Sequence, residues 1–595
     1  MHQLIIICLF SDKMNGPLQN QIGKMELIKK GSANHLTTQK VVKIPHFVMD
    51  ISVDGVKIAN NTKIPSATPV VGRLHSVQPS ASNDRGIVRF ERPEPFIIGF
   101  LHATKQSNAS FLEHTIKELL RLSPLNNDRE VISGRSCTVK LRCVIADNPM
   151  RSFLKRTILH TGQWSCDRCI QRGVTKGCLR LNDVSAPLRT DSQFLTYCKS
   201  DDSEDNHIPN PADKSPFLKL TYLGMVTGFP IDPMHSMFGC AFHRRINGFF
   251  GKSKRNEGQL GAVQLERVNI RLERFKKCLL YEFDSHVGPV NTSKKYKFHV
   301  LRQFLYYHLF PTFRGILPAK DLNHVMLLQY AMILLGGYST DKVPTSNIKT
   351  ASQVLKKYAT ELVATGIPCR FTSHQIIHLP EDVAKFQCGV ECLSAFPFEN
   401  FYAFFRRNVR SGNLVPEQLR NRLIERAKYL LPSTADGTII LDHNDLVRES
   451  EKRFGDGDRK NRLVEFVNPN SSVVRAKKLV FLAYTLSNKF PNNVCLLHGG
   501  KPFVITDILE YPPNSKTFTI VGHTFKSISD AFKKPFNSSS FNIYKAAKLD
   551  STVREYQIPK IEGKMYPFPM IDTVPVDIFD IKQVWYLSPL RHTVQ

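Results

Sequence analysis

The chain has 595 residues and carries 81 Lys and Arg against 52 Asp and Glu, a formal net charge of +29. A hydrophobic content of 42%, with 10% aromatic residues, is enough for real cores and excludes a wholly disordered, collagen-like or low-complexity protein. The positive excess favours a polyanionic partner, most often nucleic acid, although a merely soluble basic protein stays open.

Membrane and secretion signals are weak in this sequence. The longest early apolar run, residues 4–10, is far shorter than the roughly 20 residues of a spanning helix. It also lacks the basic flank and cleavage site of a signal peptide, so we expect no membrane partner. Thirteen cysteines over so long a chain favour a reducing compartment with a few metal ligands over a disulfide framework.

The N-terminal half begins with a poorly patterned segment, residues 1–44, and continues with a mixed α/β region, residues 45–165. Strands are predicted to end at Asp54-Gly55 and Asp147-Asn148 and to cover residues 68–77 and 95–104. The sequence Ser110-Phe-Leu-Glu predicts a capping box that opens a helix, and residues 150–160 predict a second helix. The order is three hairpin-linked strands followed by a crossover.

The rest of the chain divides into four parts by composition. We predict a Cys/His motif followed by a largely helical region, a helix near Glu399, a charged connector and a small separate β-rich domain. Their boundaries are residues 166–392, 393–431, 432–470 and 471–595.

Two acidic residues, Asp54 and Asp147, each follow a predicted strand of the same α/β layer. Two carboxylates at neighbouring strand ends form a hard oxygen site suited to Mg²⁺. A third carboxylate would complete a two-metal centre for phosphodiester chemistry. Both residues are also common in turns, and that structural interpretation stays open.

The pair Cys166-Asp-Arg-Cys169 predicts half of a zinc site, which needs two further thiolates or imidazoles. His160 and Cys178 lie nearby in sequence. His374 and His378 have the i,i+4 spacing of one helical face, on a helix that we expect to end at Pro380, and His235 follows Asp232 by three. Unligated thiols and ordinary core or surface histidines are the alternatives.

Glu399 opens a segment, FENFYAFFRRNVRSG, that is both aromatic and basic. Glu399, Arg406 and Arg410 are predicted near one stripe of a helix, where the carboxylate could hold a metal while the arginines bind phosphates. The alternative is a helix with a solvated basic face and an aromatic core face.

Five motifs in succession resemble the transposases of CACTA-type (EnSpm-like) DNA transposons and their animal relatives. They are SVDGV, VIADNPMRSFLKRTILHTGQWSCDRC, FPIDPMHSMFG, SHQIIHLPEDVAKF and SAFPFENFYAFFRRNVR. The resemblance covers about residues 48–412 and continues more loosely through the C-terminal β region.

This resemblance implies a ribonuclease-H-like core with a large α-helical insertion before its last acidic residue. It implies a DDE triad of Asp54, Asp147 and Glu399 that binds Mg²⁺ or Mn²⁺ and performs DNA strand cleavage and transfer. The same motifs would bring Asp232, His235, His374 and His378 near the centre, with Cys166 and Cys169 as a zinc pair whose histidines are unsettled. Arg406, Arg407 and Arg410 would contact DNA phosphates.

Three functions follow as hypotheses. The first is a transposase-like nucleotidyl transferase that acts on double-stranded DNA in the nucleus, either alone or as a homo-oligomer. The second is a domesticated copy that binds DNA through its positive charge and catalyses nothing. The third is a protein-interaction scaffold in which the C-terminal β-rich domain is the working part.

Overall fold

The computed structural model describes fourteen stretches of the chain and combines mixed helices and sheets with a C-terminal β-rich domain. The predicted connector and most of residues 1–44 lie outside the described residues. None of the helices within the described stretches is long and apolar enough to cross a membrane. The described residues are 3–6, 46–58, 66–78, 88–89, 94–103, 110–123, 130–132, 135–199, 207–251, 258–337, 341–430, 474–481, 483–510 and 517–591.

The first sheet has seven strands in the order β1-β5-β3-β2-β7-β6, with β4 paired to β3. The central strands β5, β3 and β2 are antiparallel, whereas β7 runs parallel to β2 and therefore needs a crossover. The three predicted hairpin-linked strands and the crossover are thus confirmed. The strands are β1 (Gln3–Ile6), β2 (His46–Val53), β3 (Ser66–Gln78), β4 (Val88–Arg89), β5 (Phe96–Ala103), β6 (Glu130–Ile132) and β7 (Arg135–Ile145).

Both faces of this sheet are covered. Strand β2 is buried along nearly its whole length because one apolar cluster packs on each face. Its polar residue Asp50 is fully buried and is paired with Arg73 (2.9 Å) and Arg142 (2.6 Å). Apolar Met49 and Ile51 alternate with polar Asp50 and Ser52 along β2, and both sets of side chains are buried.

Two helix predictions near this sheet need correction. A 3₁₀ turn, Ser110–Leu112, precedes helix α1 (Glu113–Arg121), so the α-helix begins later than predicted, after Leu112, which makes no side-chain cap. The Ser110 side chain of the predicted capping box lies outside the described residues. The second helix, α2 (Asn148–Lys155), is shorter than predicted. It ends because Arg156 adopts a left-handed conformation with φ 61°.

The region between the two sheets is helical, as predicted. Pro380 lies in the first turn of a helix instead of ending one. Proline is tolerated there because backbone N–H groups of the first turn have no partner within the helix, so the missing N–H costs no hydrogen bond. A two-stranded sheet, β8 (Val174–Thr175) and β9 (Leu179–Arg180), comes before most of the helices. The helices are α3 (Asp191–Tyr197), π-helix Met234–Phe242, α4 (His243–Phe249), α5 (Ala262–Phe275), α6 (Phe298–Gln303), π-helix Phe304–His308, α7 (Leu309–Phe313), α8 (Ala319–Leu334), α9 (Thr345–Ala364), α10 (Phe371–His374), α11 (Leu379–Phe386), α12 (Phe396–Asn408) and α13 (Val415–Leu430).

The C-terminal domain is an eight-stranded antiparallel sheet in the order β10-β14-β13-β18-β19-β16-β15-β17. An additional pairing of β14 with β15 closes six of these strands into a ring. Strands β11 and β12 form a separate pair. The strands are β10 (Val474–Arg475), β11 (Lys478–Val480), β12 (Thr485–Ser487), β13 (Val494–Leu497), β14 (Lys501–Glu510), β15 (Phe518–Asp530), β16 (Tyr544–Leu549), β17 (Arg554–Gln557), β18 (Ile561–Pro569) and β19 (Val584–Pro589).

The C-terminal domain shares a core with the helices. Aromatic residues of both parts belong to one apolar cluster, and the rings of Phe310 and Phe532 have centroids 4.8 Å apart. A buried ion pair joins Lys564 to Glu282 at 2.7 Å. The domain that we predicted as separate is therefore packed against the helical region.

Candidate active site

Asp54 and Asp147 follow the two parallel strands β2 and β7, in which Ser52 pairs with Ile145. Asp147 caps α2 by accepting a hydrogen bond from the Met150 amide (2.8 Å), and Asp54 accepts one from the Gly55 amide (2.6 Å). These local bonds orient both carboxylates at the same edge of the sheet. The turn role that the sequence left open is real, Asp147 also caps a helix, and both local roles coexist with an acidic site.

Glu399 lies in the first turn of α12 and reaches the same edge. Its carboxylate, that of Asp54 and the His235 imidazole have ligand atoms that all lie within 4.8 Å of one another. Helix α12 is held on the sheet because the Tyr402 hydroxyl hydrogen-bonds the Ser52 hydroxyl (3.0 Å) and Phe405 packs edge-on against Phe100 (5.9 Å).

The carboxylates of this site repel one another. Burial first, and then the charges of Asp147 and Glu399, raise the pKa of Asp54 from 3.8 to about 8. Burial first, and then the charges of Asp54, Glu399 and Asp147, raise the pKa of Tyr402 well above its usual value. A bound cation would reduce the repulsion between these carboxylates, and carboxylate oxygens are the ligands that Mg²⁺ prefers.

Asp232 connects the third motif to this site. A bridge between Ala146 and Ile231 places Asp232 beside Asp147. The buried Asp232 carboxylate accepts hydrogen bonds from the Ala395 amide (2.8 Å), just before α12, and from Nδ1 of His235 (2.5 Å). It thereby joins the start of the π-helix to the start of the Glu399 helix.

His235 is held as an imidazolium. Burial alone would lower the pKa of His235, but the hydrogen bond and charge of Asp232, with the charges of Asp147 and Glu399, raise it to about 9. The structure corrects the prediction that His235 completes the zinc site, because its ring lies with Asp54 and Glu399 and not with the two cysteines.

A second cluster combines Cys166, Cys169, His374 and His378, all buried, with ligand atoms that lie within 4.8 Å of one another. The Cys166 sulfur is 3.6 Å from His378 Nε2, and the Cys169 sulfur is 3.2 Å from His374 Nε2. Two thiols and two imidazoles form the donor set of a structural zinc site. Among the described residues, neither His160 nor Cys178 belongs to this cluster.

The surroundings of this cluster also fit a metal. Nδ1 of His374 lies 3.1 Å from the Leu181 carbonyl oxygen, and Nδ1 of His378 lies 3.3 Å from a Glu381 carboxylate oxygen. Such partners leave Nε2 of each ring for a metal. Burial opposes ionisation of Cys166, yet the Cys169 hydrogen bond and the two imidazoles hold its pKa well below the usual value.

The three arginines lie in two different settings. Arg406 and Arg407 are exposed in the last turn of α12, two turns beyond Glu399. Arg410 is exposed but lies past the helix end, so the prediction that it shares a helical stripe with Glu399 is wrong. The helix ends at Asn408 because Val409 is extended (φ −100°, ψ 114°) ahead of the Ser-Gly-Asn turn.

Sequence reasoning missed several residues that support these two clusters. Ser52 and Tyr402 could have been noticed, since they lie two residues before Asp54 and three after Glu399, on the same side of their elements. Arg168 and Asp382 carried no such signal, because their roles depend on contacts between distant segments.

A comparison with protein families finds a match in the C-terminal part of the chain. Residues 463–581 match a family described as a domain of unknown function (DUF8592). No curated protein matches the chain. The match does not extend to the residues of either cluster.

Proposed function

We propose that this protein is a DDE-type polynucleotidyl transferase, related to CACTA-type transposases, that cleaves and joins DNA strands with divalent metal ions. The observation that carries the proposal is that Asp54 and Glu399, from distant segments, have carboxylate oxygens within 4.8 Å of each other at one edge of the first sheet, where the charge of Asp147 also acts on Asp54. The raised pKa of Asp54 supports it, because burial and then the charges of Asp147 and Glu399 oppose its ionisation, and a bound cation would offset both effects.

The topology of the first sheet supports a ribonuclease-H-like core. Three antiparallel strands are followed by a crossover to a parallel strand, and acidic residues follow β2 and β7. A long helical region separates these strands from α12, which carries Glu399. This arrangement agrees with the helical insertion that the resemblance implies.

The residues at the site fit Mg²⁺ or Mn²⁺. Asp54, Asp147 and Glu399 would hold two ions, which activate the attacking oxygen and stabilise the leaving oxygen when bound. Asp232 keeps His235 protonated, so that the imidazolium can donate a hydrogen bond or a proton to a phosphate oxygen at the same point. Arg406 and Arg407 would bind the flanking phosphates, and the nucleus is the compartment for such activity.

The decisive experiment is a cleavage assay on DNA with the full chain and Mg²⁺ or Mn²⁺. Asp54→Asn, Asp147→Asn and Glu399→Gln should each reduce nicking by on the order of 10³-fold while the melting temperature stays close to that of the wild type. Each removes a charge that the ions need and leaves the local hydrogen bonds nearly intact.

The matched control is Glu273→Gln, an acid with a 70% exposed side chain in α5, which should cleave like the wild type. Wild-type protein that binds DNA but cleaves none of it with either ion would contradict the proposal and favour the domesticated, inactive copy. Full cleavage by Asp54→Asn would refute the assignment of the triad.

A further inference from the structure

The two residues between Cys166 and Cys169 are charged, and both are buried. A charge inside a protein has to be paired, so the partners of Asp167 and Arg168 show what the Cys166–Cys169 loop is attached to. Their partners lie on segments that carry residues of the candidate active site.

Asp167 attaches the loop to helix α2. Its Oδ2 accepts hydrogen bonds from Arg151 Nε (2.8 Å) and Lys155 Nζ (3.2 Å), both on α2 and both buried. Asp147 caps the first turn of that same helix. A shift of the loop would therefore pull on the element that orients one of the three carboxylates.

Arg168 attaches the loop to the segment before Asp232. Its guanidinium donates to the carbonyl oxygens of Val226 (2.8 Å) and Phe229 (2.6 Å) and pairs with Asp382 at 2.7 Å. The other carboxylate oxygen of Asp382 accepts a hydrogen bond from the Ile231 amide (2.8 Å).

Ile231 links the contacts of Arg168 and Asp382 to the candidate active site. It forms the bridge with Ala146, and the next residues of the two segments are Asp232 and Asp147. The Arg168–Asp382 pair thus fixes the backbone from which both acidic residues project.

The same ion pair joins the two halves of the Cys/His cluster. Arg168 lies between the two cysteines, whereas Asp382 lies one turn beyond His378 on α11. A metal bound by both halves would hold Arg168 and Asp382 at their observed separation, because its four ligands come from both segments. Loss of the metal would leave the halves free to separate and would release Ile231.

We propose that Arg168 and Asp382 are positioning residues that couple metal binding at the Cys/His cluster to the geometry of the carboxylate site. The inference rests on the proposed function for the nature of the second site. It predicts that zinc at the first site raises the affinity of the second for a divalent ion, and by linkage the reverse.

The test compares full-length wild-type protein with Asp382→Asn, which keeps the shape of the side chain and removes the charge that Arg168 pairs with. Zinc content measured by atomic emission should stay at that of the wild type. Mn²⁺ affinity, measured by electron paramagnetic resonance titration, should fall about tenfold or more. Asp382→Glu should recover part of that affinity.

The matched control is Glu282→Gln, which breaks the buried pair with Lys564 outside both clusters. It should leave Mn²⁺ affinity unchanged even if it lowers the melting temperature. Unchanged Mn²⁺ affinity in Asp382→Asn would overturn the inference, and so would a loss as large in the control.

Hydrogen–deuterium exchange separates this inference from the proposed function. Removing zinc with a chelator, or introducing Asp382→Asn, should speed exchange in residues 146–155 and 227–236, with no change in the C-terminal sheet. If wild-type protein binds no Mn²⁺, the proposed function fails, and faster exchange would still support the coupling. Slow exchange in both segments after zinc removal would overturn the coupling itself.

Discussion

At the scale of single residues, the candidate active site combines acidic side chains with one positively charged imidazole. Asp147 and Glu399 act on Asp54 as negative charges, so that Asp54 loses its proton only near pH 8, and His235 provides a nearby positive charge that Asp232 maintains. Burial makes each of these charges costly without its partner. The protonation of Asp54 and of His235 therefore changes in a pH range that experiments reach easily.

The raised pKa of Asp54 predicts a pH-dependent stability. Between pH 4 and about 8 the folded protein keeps a proton that the unfolded chain releases, so stability should fall as pH rises through this window. Without divalent ions at pH 8, Asp54→Asn should melt roughly 2 °C above the wild type, and the gap should close towards pH 4. Thermal melts in buffer containing a chelator measure this.

Asp183→Asn, which changes an exposed acid, is the control and should melt like the wild type at every pH. Added Mg²⁺ should stabilise the wild type and leave Asp54→Asn unaffected. Parallel curves for Asp54→Asn and wild type across the whole range would contradict the raised pKa of Asp54.

Asp232 sets the pH at which His235 loses its proton. In the wild type, cleavage that uses the imidazolium should fall above about pH 9. Asp232→Asn removes the negative partner, so the fall should move about one to three pH units lower. The pH profile of the cleavage rate tests this, and a profile that keeps its alkaline side in the variant would exclude His235 as the titrating group.

At the scale of elements, two strand ends and one helix build the site, and the Cys/His cluster braces the segments around them. Tyr402 and Phe405 hold helix α12 on the first sheet. Just before that helix, the Ala395 amide donates a hydrogen bond to the Asp232 carboxylate. The cluster draws its cysteines from a loop after α2 and its histidines from the segment around α10 and α11. It therefore holds together parts of the chain that are far apart in sequence.

Cys169→Ser should lose bound zinc and lower the melting temperature by roughly 5 °C or more, because a structural zinc site contributes directly to folding. Zinc content by atomic emission and thermal melts provide the measurements. Cys178→Ser is the control, since this partly exposed cysteine lies outside the cluster and should change neither quantity. Full zinc content in Cys169→Ser would remove Cys169 from the ligand set.

At the scale of the whole molecule, two features act together. The net charge of +29 attracts a polyanion without selecting its sequence. The C-terminal domain is fastened to the helices by shared aromatic packing and by Lys564, whose ammonium donates to Glu282, to the Thr485 carbonyl oxygen and to Asn492. Under the proposed function, the region of the first sheet and the C-terminal domain would therefore meet DNA as one unit.

DNA binding by the full chain should weaken steeply with salt, because phosphate contacts release counterions. Arg406→Ala and Arg407→Ala should each reduce the slope of log affinity against log salt by about 1. Fluorescence anisotropy on a duplex measures the slope, with Lys582→Ala, an exposed lysine of the C-terminal domain, as the control. Binding that does not respond to salt would favour the protein-interaction scaffold.

The sequence by itself determined the local structure and part of the site. Strand β2 and its end next to Asp54, the strand end at Asp147 and the β-rich C-terminal region follow from periodicity and turn residues, which act over a few positions. The predictions of helix ends were less accurate. Two helices end where Arg156 and Val409 adopt non-helical backbone conformations, which the composition does not reveal.

Only the tertiary structure decided which distant residues meet. The spacings of His235, His374 and His378 are equally helical, yet His374 and His378 join the cysteines while His235 joins Asp54 and Glu399. Ser52 and Tyr402 contact each other across 350 positions of the chain. Hydrophobic periodicity indicates which face of a helix or strand is buried. Which other element packs against that face depends on how the whole chain folds.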